Sequence, residues 1–176
     1  MQPHAHFALF GLPPAYALDQ AALKTRYLEL QRQHHPDQHA SAPAAAQKQA
    51  AQRTADLNQA YQTLRCPLQR ALYLLDQAGH PADTESQTHQ DPAYLADQLE
   101  LREKLASITP PETSENAAQL AALRTQAETG FAAHQQQFQQ SHAAADWPTA
   151  TAAVHKMMFA HKLLAEIDQK EEALAD

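Results

Sequence analysis

The stretch that decides the fold is residues 19–75, DQAALKTRYLELQRQHHPDQHASAPAAAQKQAAQRTADLNQAYQTLRCPLQRALYLL. Asp19 is suited to cap a helix, because its carboxylate can accept from the first free backbone N–H groups. Leu23, Tyr27 and Leu30 then recur at i, i+4 and i+7, the spacing of one helix face. That helix must stop near His34, because Pro36 disfavours the helical conformation at His35. A second helix is expected from about Pro43 to Leu64, with Leu57, Tyr61 and Leu64 on its apolar side. Pro67 suits the first turn of a third helix carrying Leu68, Leu72 and Leu75. Two long helices joined by a short connection pack as antiparallel neighbours. His35-Pro36-Asp37 therefore falls at the tip of a helical hairpin. Pro36 stiffens that tip, and Asp37 offers a carboxylate able to take a bidentate arginine from a partner.

Composition extends the helical reading to the whole chain. Among 176 residues there are 38 Ala and 23 Gln, against one Val, two Ile and three Gly. Sheets draw on β-branched and aromatic residues and hairpins on glycine, whereas Ala, Leu, Gln, Glu and Lys favour helix. The chain is expected to be all-α, with thin cores and closely packed helices. A single cysteine, Cys66, excludes an intramolecular disulfide framework and a multi-cysteine metal cluster. Eleven histidines are scattered without the four-ligand spacing of a zinc site. No glycine-rich phosphate loop occurs, so neither a metal nor a nucleotide cofactor is expected. There is no apolar run near the ~20 residues of a membrane span and no signal peptide, which points to a cytoplasmic protein.

Charge separates two halves. Residues 1–79 carry seven Lys/Arg and five Asp/Glu, net +2, and residues 80–176 carry six and fifteen, net −9. Nucleic-acid binding needs a dense basic patch, which is lacking. Residues 79–91 collect Gly, Pro and Asp without apolar periodicity and read as a linker. The organisation expected is therefore a hairpin domain over 1–78, a linker over 79–91 and a three-helix bundle over 92–176. The bundle helices are expected near Asp91–Ile108, Ser114–Ala144 and Trp147–Leu174, with Asp146 capping the last. On that last helix Ala150, Val154, Met157, Met158, His161 and Leu164 read as the inward side. His134 and His161 read as core histidines.

The first bundle helix has two apolar sides. At ~100° per residue, Tyr94, Leu101, Leu105 and Ile108 lie within ~40° of one direction. Leu95 and Leu99 lie ~100–140° away, with Ala96 and Glu103 beside them and Glu100 further round. Such a helix can bury one strip and offer the other to a partner. Phe159 and Leu163 of the last helix read as a second displaced apolar pair.

These motifs resemble a J-domain, and more narrowly the HscB family of iron–sulfur co-chaperones. FALFGLP, LQRQ-x-HPD, NQAYQTL and QLELRE carry the likeness, which is weakest over 109–150. The resemblance implies a non-enzymatic co-chaperone that stimulates ATP hydrolysis by a DnaK-type, HscA-like chaperone. It implies chaperone contact by His35, Pro36 and Asp37 with the basic residues Lys24, Arg26 and Arg32. Gln38 stands where many J-domains carry Lys, which removes one basic contact. It further implies that Leu95, Ala96, Leu99, Glu100, Glu103 and Phe159 bind an IscU-type scaffold protein. Ala96 stands where the family can carry a larger apolar residue. The alternative is a general J-protein that delivers unfolded clients.

Overall fold

The computed structural model describes residues 4–34, 43–83, 92–110 and 113–175. Among them are seven helices: α1 Ala5–Leu9, α2 Gln20–His34, α3 Ala44–Arg65, α4 Pro67–Gln77, α5 Pro92–Ser107, α6 Ser114–Ala143 and α7 Trp147–Ala175. They fall into two compact units, Met1–Pro81 and Ala82–Asp176. Most of the expected linker, residues 84–91, lies outside the described residues.

In the first unit Asp19 caps α2 as expected. Its Oδ1 accepts from the backbone N–H groups of Ala21 at 2.9 Å and Ala22 at 3.0 Å. α2 and α3 run antiparallel. The Tyr27 ring stacks on Tyr61 at 4.1 Å between centroids, and Thr54 Oγ1 donates to the His34 carbonyl at 3.1 Å. α3 stops because Cys66 is extended (φ −85, ψ 120) ahead of Pro67. Leu23, Leu57, Leu64, Leu68 and Leu74 fill the centre, and Phe7 and Phe10 from α1 and its end close it.

Arg70 ties this core to the chain that enters α2. It is buried, and its guanidinium donates to the carbonyls of Leu64 at 2.7 Å and Tyr16 at 2.5 Å. The Tyr16 ring lies 5.3 Å from the guanidinium carbon. Burial pulls the Arg70 pKa below its ordinary value, against the opposing influence of Tyr16 and Cys66. α4 ends through Gly79 at φ +81, which lets His80 N–H reach the Leu75 carbonyl at 2.9 Å.

The second unit is an α6–α7 hairpin with α5 laid against it. Thr113 and Asp146 cap the two long helices, accepting from Asn116 N–H at 3.1 Å and Thr149 N–H at 3.2 Å. The hairpin has a coiled-coil repeat. Ala153, Ala160, Ile167 and Leu174 follow at intervals of seven and are all buried, with Ala150 and Met157 in the companion register. Leu120, Ala127 and Ser141 answer them from α6. Arg124 joins the helices at the far end, donating to Asp168 at 2.6 Å and Glu171 at 2.7 Å. Those bonds raise its pKa further above the ordinary arginine value.

The expected inward side of α7 is corrected here. His161 is exposed, Met158 and Leu164 are half-buried, and Leu163 is fully buried within the α5–α6–α7 core. A fixed 100° wheel assigns one direction to the whole helix. A seven-residue repeat drifts by ~20° per heptad against a straight helix, so the buried stripe rotates along its length. Ala153 and Ala160 also mark the contact line, and small residues weigh little in a reading by large apolar side chains.

Candidate functional site

Among the described residues four large apolar side chains are exposed: Leu9, Leu28, Leu95 and Leu99. Leu28 stands on α2, and Leu95 and Leu99 stand on α5. Each of these two helices surrounds its leucines with charge.

On α2, Lys24, Leu28 and Arg32 follow at i, i+4 and i+8 and are all exposed. They form one stripe beside the inward line of Leu23, Tyr27 and Leu30. Arg26 is exposed too, but it lies ~120–160° around the helix from Lys24 and Arg32. Its guanidinium pairs with Glu29 at 3.3 Å. The basic surface is therefore narrower than the three residues suggested, and it has an apolar centre at Leu28. Sequence reading passed over Leu28 because it adjoins Tyr27 and reads as the margin of the inward face. The signal was its spacing of four from both Lys24 and Arg32. His35, Pro36, Asp37 and Gln38 lie outside the described residues.

α5 carries the second surface. Its inward line is as expected: Leu101 and Leu105, with Ile108 just beyond the helix end, are buried, and Tyr94 is half-buried. Tyr94 is held by its hydroxyl, which donates to the Lys156 carbonyl at 3.0 Å, and by Lys156 Nζ at 4.9 Å from the ring centroid. Phe159 of α7 is half-buried and meets Tyr94 edge-on at 6.1 Å. Arg102, which shares a flank with Leu95 and Leu99 at i+7 and i+3, bonds Glu166 of α7 at 3.0 Å. That flank therefore faces α7, the helix that carries Phe159. Leu95 is 36% exposed and Leu99 60%.

The remaining expected residues divide. Ala96 and Glu103 are exposed on the outer face next to the leucines. Glu100 turns toward the other flank and pairs with Lys104 at 2.6 Å. That hydrogen bond, with the charge of Lys104, holds the Glu100 carboxyl below its ordinary pKa. Leu163, expected beside Phe159, belongs to the core instead. Two surfaces result, a basic one and an acidic one, each with exposed leucine. Such surfaces are suited to binding, because exposed apolar side chains can recover burial against a partner and the surrounding charges favour one sign over the other. Among the described residues no three His, Cys, Asp or Glu side chains gather as a metal-binding group. Among them, too, no helix is long and apolar enough to cross a membrane.

Known proteins share this architecture and are similar in sequence. Residues 5–73 match the DnaJ domain, and residues 90–168 match the HSCB C-terminal oligomerisation domain. The chain is 41% identical over 169 residues to the Co-chaperone protein HscB homolog of Vibrio vulnificus (strain YJ016), covering 96% of this chain and 98% of that protein. The solved chaperone HscB from Vibrio cholerae superposes with a TM-score of 0.85 at 36% identity, covering 96% of this chain and 98% of that one. Human co-chaperone protein HscB has the same fold, with a TM-score of 0.88 at 24% identity over 99% of this chain and 86% of that one.

Proposed function

The chain belongs to the HscB co-chaperone family, and from that membership we propose that it couples a DnaK-type, HscA-like chaperone to an IscU-type scaffold protein. In this reading it stimulates the chaperone's ATP hydrolysis, delivers the scaffold and promotes iron–sulfur cluster transfer, without catalysing a reaction itself. His35, Pro36 and Asp37 make the essential chaperone contact. Lys24 and Arg32 steer an acidic groove onto α2, and Leu28 adds an apolar centre. Arg26, turned away and paired with Glu29, contributes less. On α5, Leu95 and Leu99 anchor the scaffold together with Phe159 of α7, beside Ala96. Glu100 and Glu103 supply the acidic margin. Holding both partners raises the effective concentration of scaffold near the chaperone.

The observation that supports this reading is the exposure of Leu95 and Leu99 on a helix that buries Leu101 and Leu105. Leaving a leucine in water forgoes ~1.5–3 kcal/mol of burial, which a partner can recover. Phosphate release by an HscA-type chaperone tests the proposal, with this protein and an IscU-type scaffold added singly and together. The protein alone should accelerate release, and the pair should accelerate it more than their separate effects combined. Unfolded peptide serving as well as the scaffold would assign the protein to general client delivery instead.

A further inference from the structure

α5 joins its unit along a short buried line, made by Gln98, Leu101 and Leu105. Apolar contact has no direction, so this line holds α5 down without fixing its roll or its register along α7. Directional bonds can fix both, and among the described residues two run from α5 to α7. At the first turn of α5 the Tyr94 hydroxyl donates to the Lys156 carbonyl at 3.0 Å. About two turns further on, Arg102 Nε donates to Glu166 Oε2 at 3.0 Å.

These bonds bracket the apolar residues of the candidate surface. Leu95 and Leu99 lie between Tyr94 and Arg102 on α5, and Phe159 lies between Lys156 and Glu166 on α7. Tyr94 also seats Phe159, because its ring meets Phe159 edge-on at 6.1 Å and His134 of α6 edge-on at 5.5 Å. The second bond is a weak stabiliser. Its side chains are 26% and 30% exposed, and ion pairs open to water contribute little to folding. It aligns instead, since a planar guanidinium donates along set directions. Glu100 and Lys104 pair within α5 and constrain no neighbouring helix.

We propose that Tyr94, Arg102 and Glu166 are positioning residues that hold Leu95 and Leu99 of α5 and Phe159 of α7 in the register at which they form one partner-binding face. The partner is the scaffold protein, so that part rests on the proposed function. The tether between the helices needs no partner and is tested without one.

Amide hydrogen exchange of the full chain alone tests the tether. Tyr94→Phe keeps the ring and removes the bond, and Arg102→Met keeps the stem and removes the charge. Each should speed exchange along α5 several-fold, while α6 and α7 keep their wild-type protection. The melting temperature should fall by less than about 3 °C. Unchanged exchange on α5 overturns the tether. Titration calorimetry with an IscU-type scaffold tests the positioning. Arg102→Met and Glu166→Arg should each bind about tenfold more weakly, with Leu95, Leu99 and Phe159 in place. Combining Arg102→Glu with Glu166→Arg reverses the pair, and should restore α5 protection and bring affinity to within about threefold of wild type. A reversed pair that recovers protection without affinity would make Arg102 a direct scaffold contact and overturn the positioning role. Unchanged affinity in the single variants overturns it as well. A wild-type chain that binds no scaffold overturns the proposed function and the positioning with it, whereas the tether stands or falls on exchange alone.

Discussion

α2 and α5 are built alike and charged oppositely. Each buries one line of residues and keeps leucine in water: Leu28 on α2, Leu95 and Leu99 on α5. Around Leu28 stand Lys24 and Arg32. Beside Leu95 and Leu99 stand Glu103 and, toward α7, Arg102 held by Glu166, while Glu100 turns to the other flank and pairs with Lys104. The apolar element is common to both, so under the proposed function it would supply affinity without choosing between partners. The sign of the surrounding charge would make the choice, because a like-charged partner is repelled and an opposite one is steered in. On that proposal the comparison teaches that one chain can hold two partners apart in specificity with the same physical device inverted.

The harshest way to break the comparison is to remove one apolar centre. Replacing Leu95, Leu99 and Phe159 together by Ala should weaken scaffold binding about 100-fold, since a few anchors carry most of an interface's energy. Helicity by circular dichroism should hold, and chaperone stimulation by the protein alone should be unchanged. A large loss of helix would mean that these side chains support the bundle.

Reversing charge sharpens it next. Lys24→Glu with Arg32→Glu should reduce chaperone affinity about tenfold at low salt, with the deficit shrinking as salt rises. Arg26→Glu should do much less, because Arg26 points elsewhere and pairs with Glu29. Equal effects from the two variants would show that the stripe through Leu28 is not the contact. Titration calorimetry at two salt concentrations distinguishes these outcomes.

The smallest effect separates the units by pH. His6 stacks on Tyr73 at 4.5 Å between centroids, and burial lowers its pKa from the ordinary 6.5. A histidine with a depressed folded pKa contributes stability that is present above the unfolded value. That stability is lost as pH falls through the folded value. The first unit should therefore lose stability as pH drops below about 6.5, and His6→Phe should flatten that dependence. Thermal melts from neutral pH downward would show it. A slope unchanged in the variant would assign the effect to other groups.

Much of this was legible in the sequence for definite reasons. Asp19, Pro67 and Asp146 mark helix ends through local chemistry, and local chemistry needs no knowledge of neighbours. Tyr94, Leu101 and Leu105 gave the inward line of α5 because large apolar residues at helical spacing have one natural destination. The misses share a cause as well. On α7 the contact line runs through Ala153 and Ala160, and their small size hid it, so Leu163 read as displaced and His161 as inward. Arg26 counted with Lys24 and Arg32 because composition sees charge without direction. Asp37 was reached through its place in the tripeptide, and it remains a reading of sequence.

That residue offers the most direct test of the central claim, that the chain joins a chaperone to a scaffold through two separate surfaces. Asp37→Asn removes a charge and little else. ATP hydrolysis by an HscA-type chaperone should lose its stimulation by this variant, with or without scaffold, while scaffold affinity stays at the wild-type value. Full stimulation by Asp37→Asn, or scaffold binding lost along with it, would contradict the account.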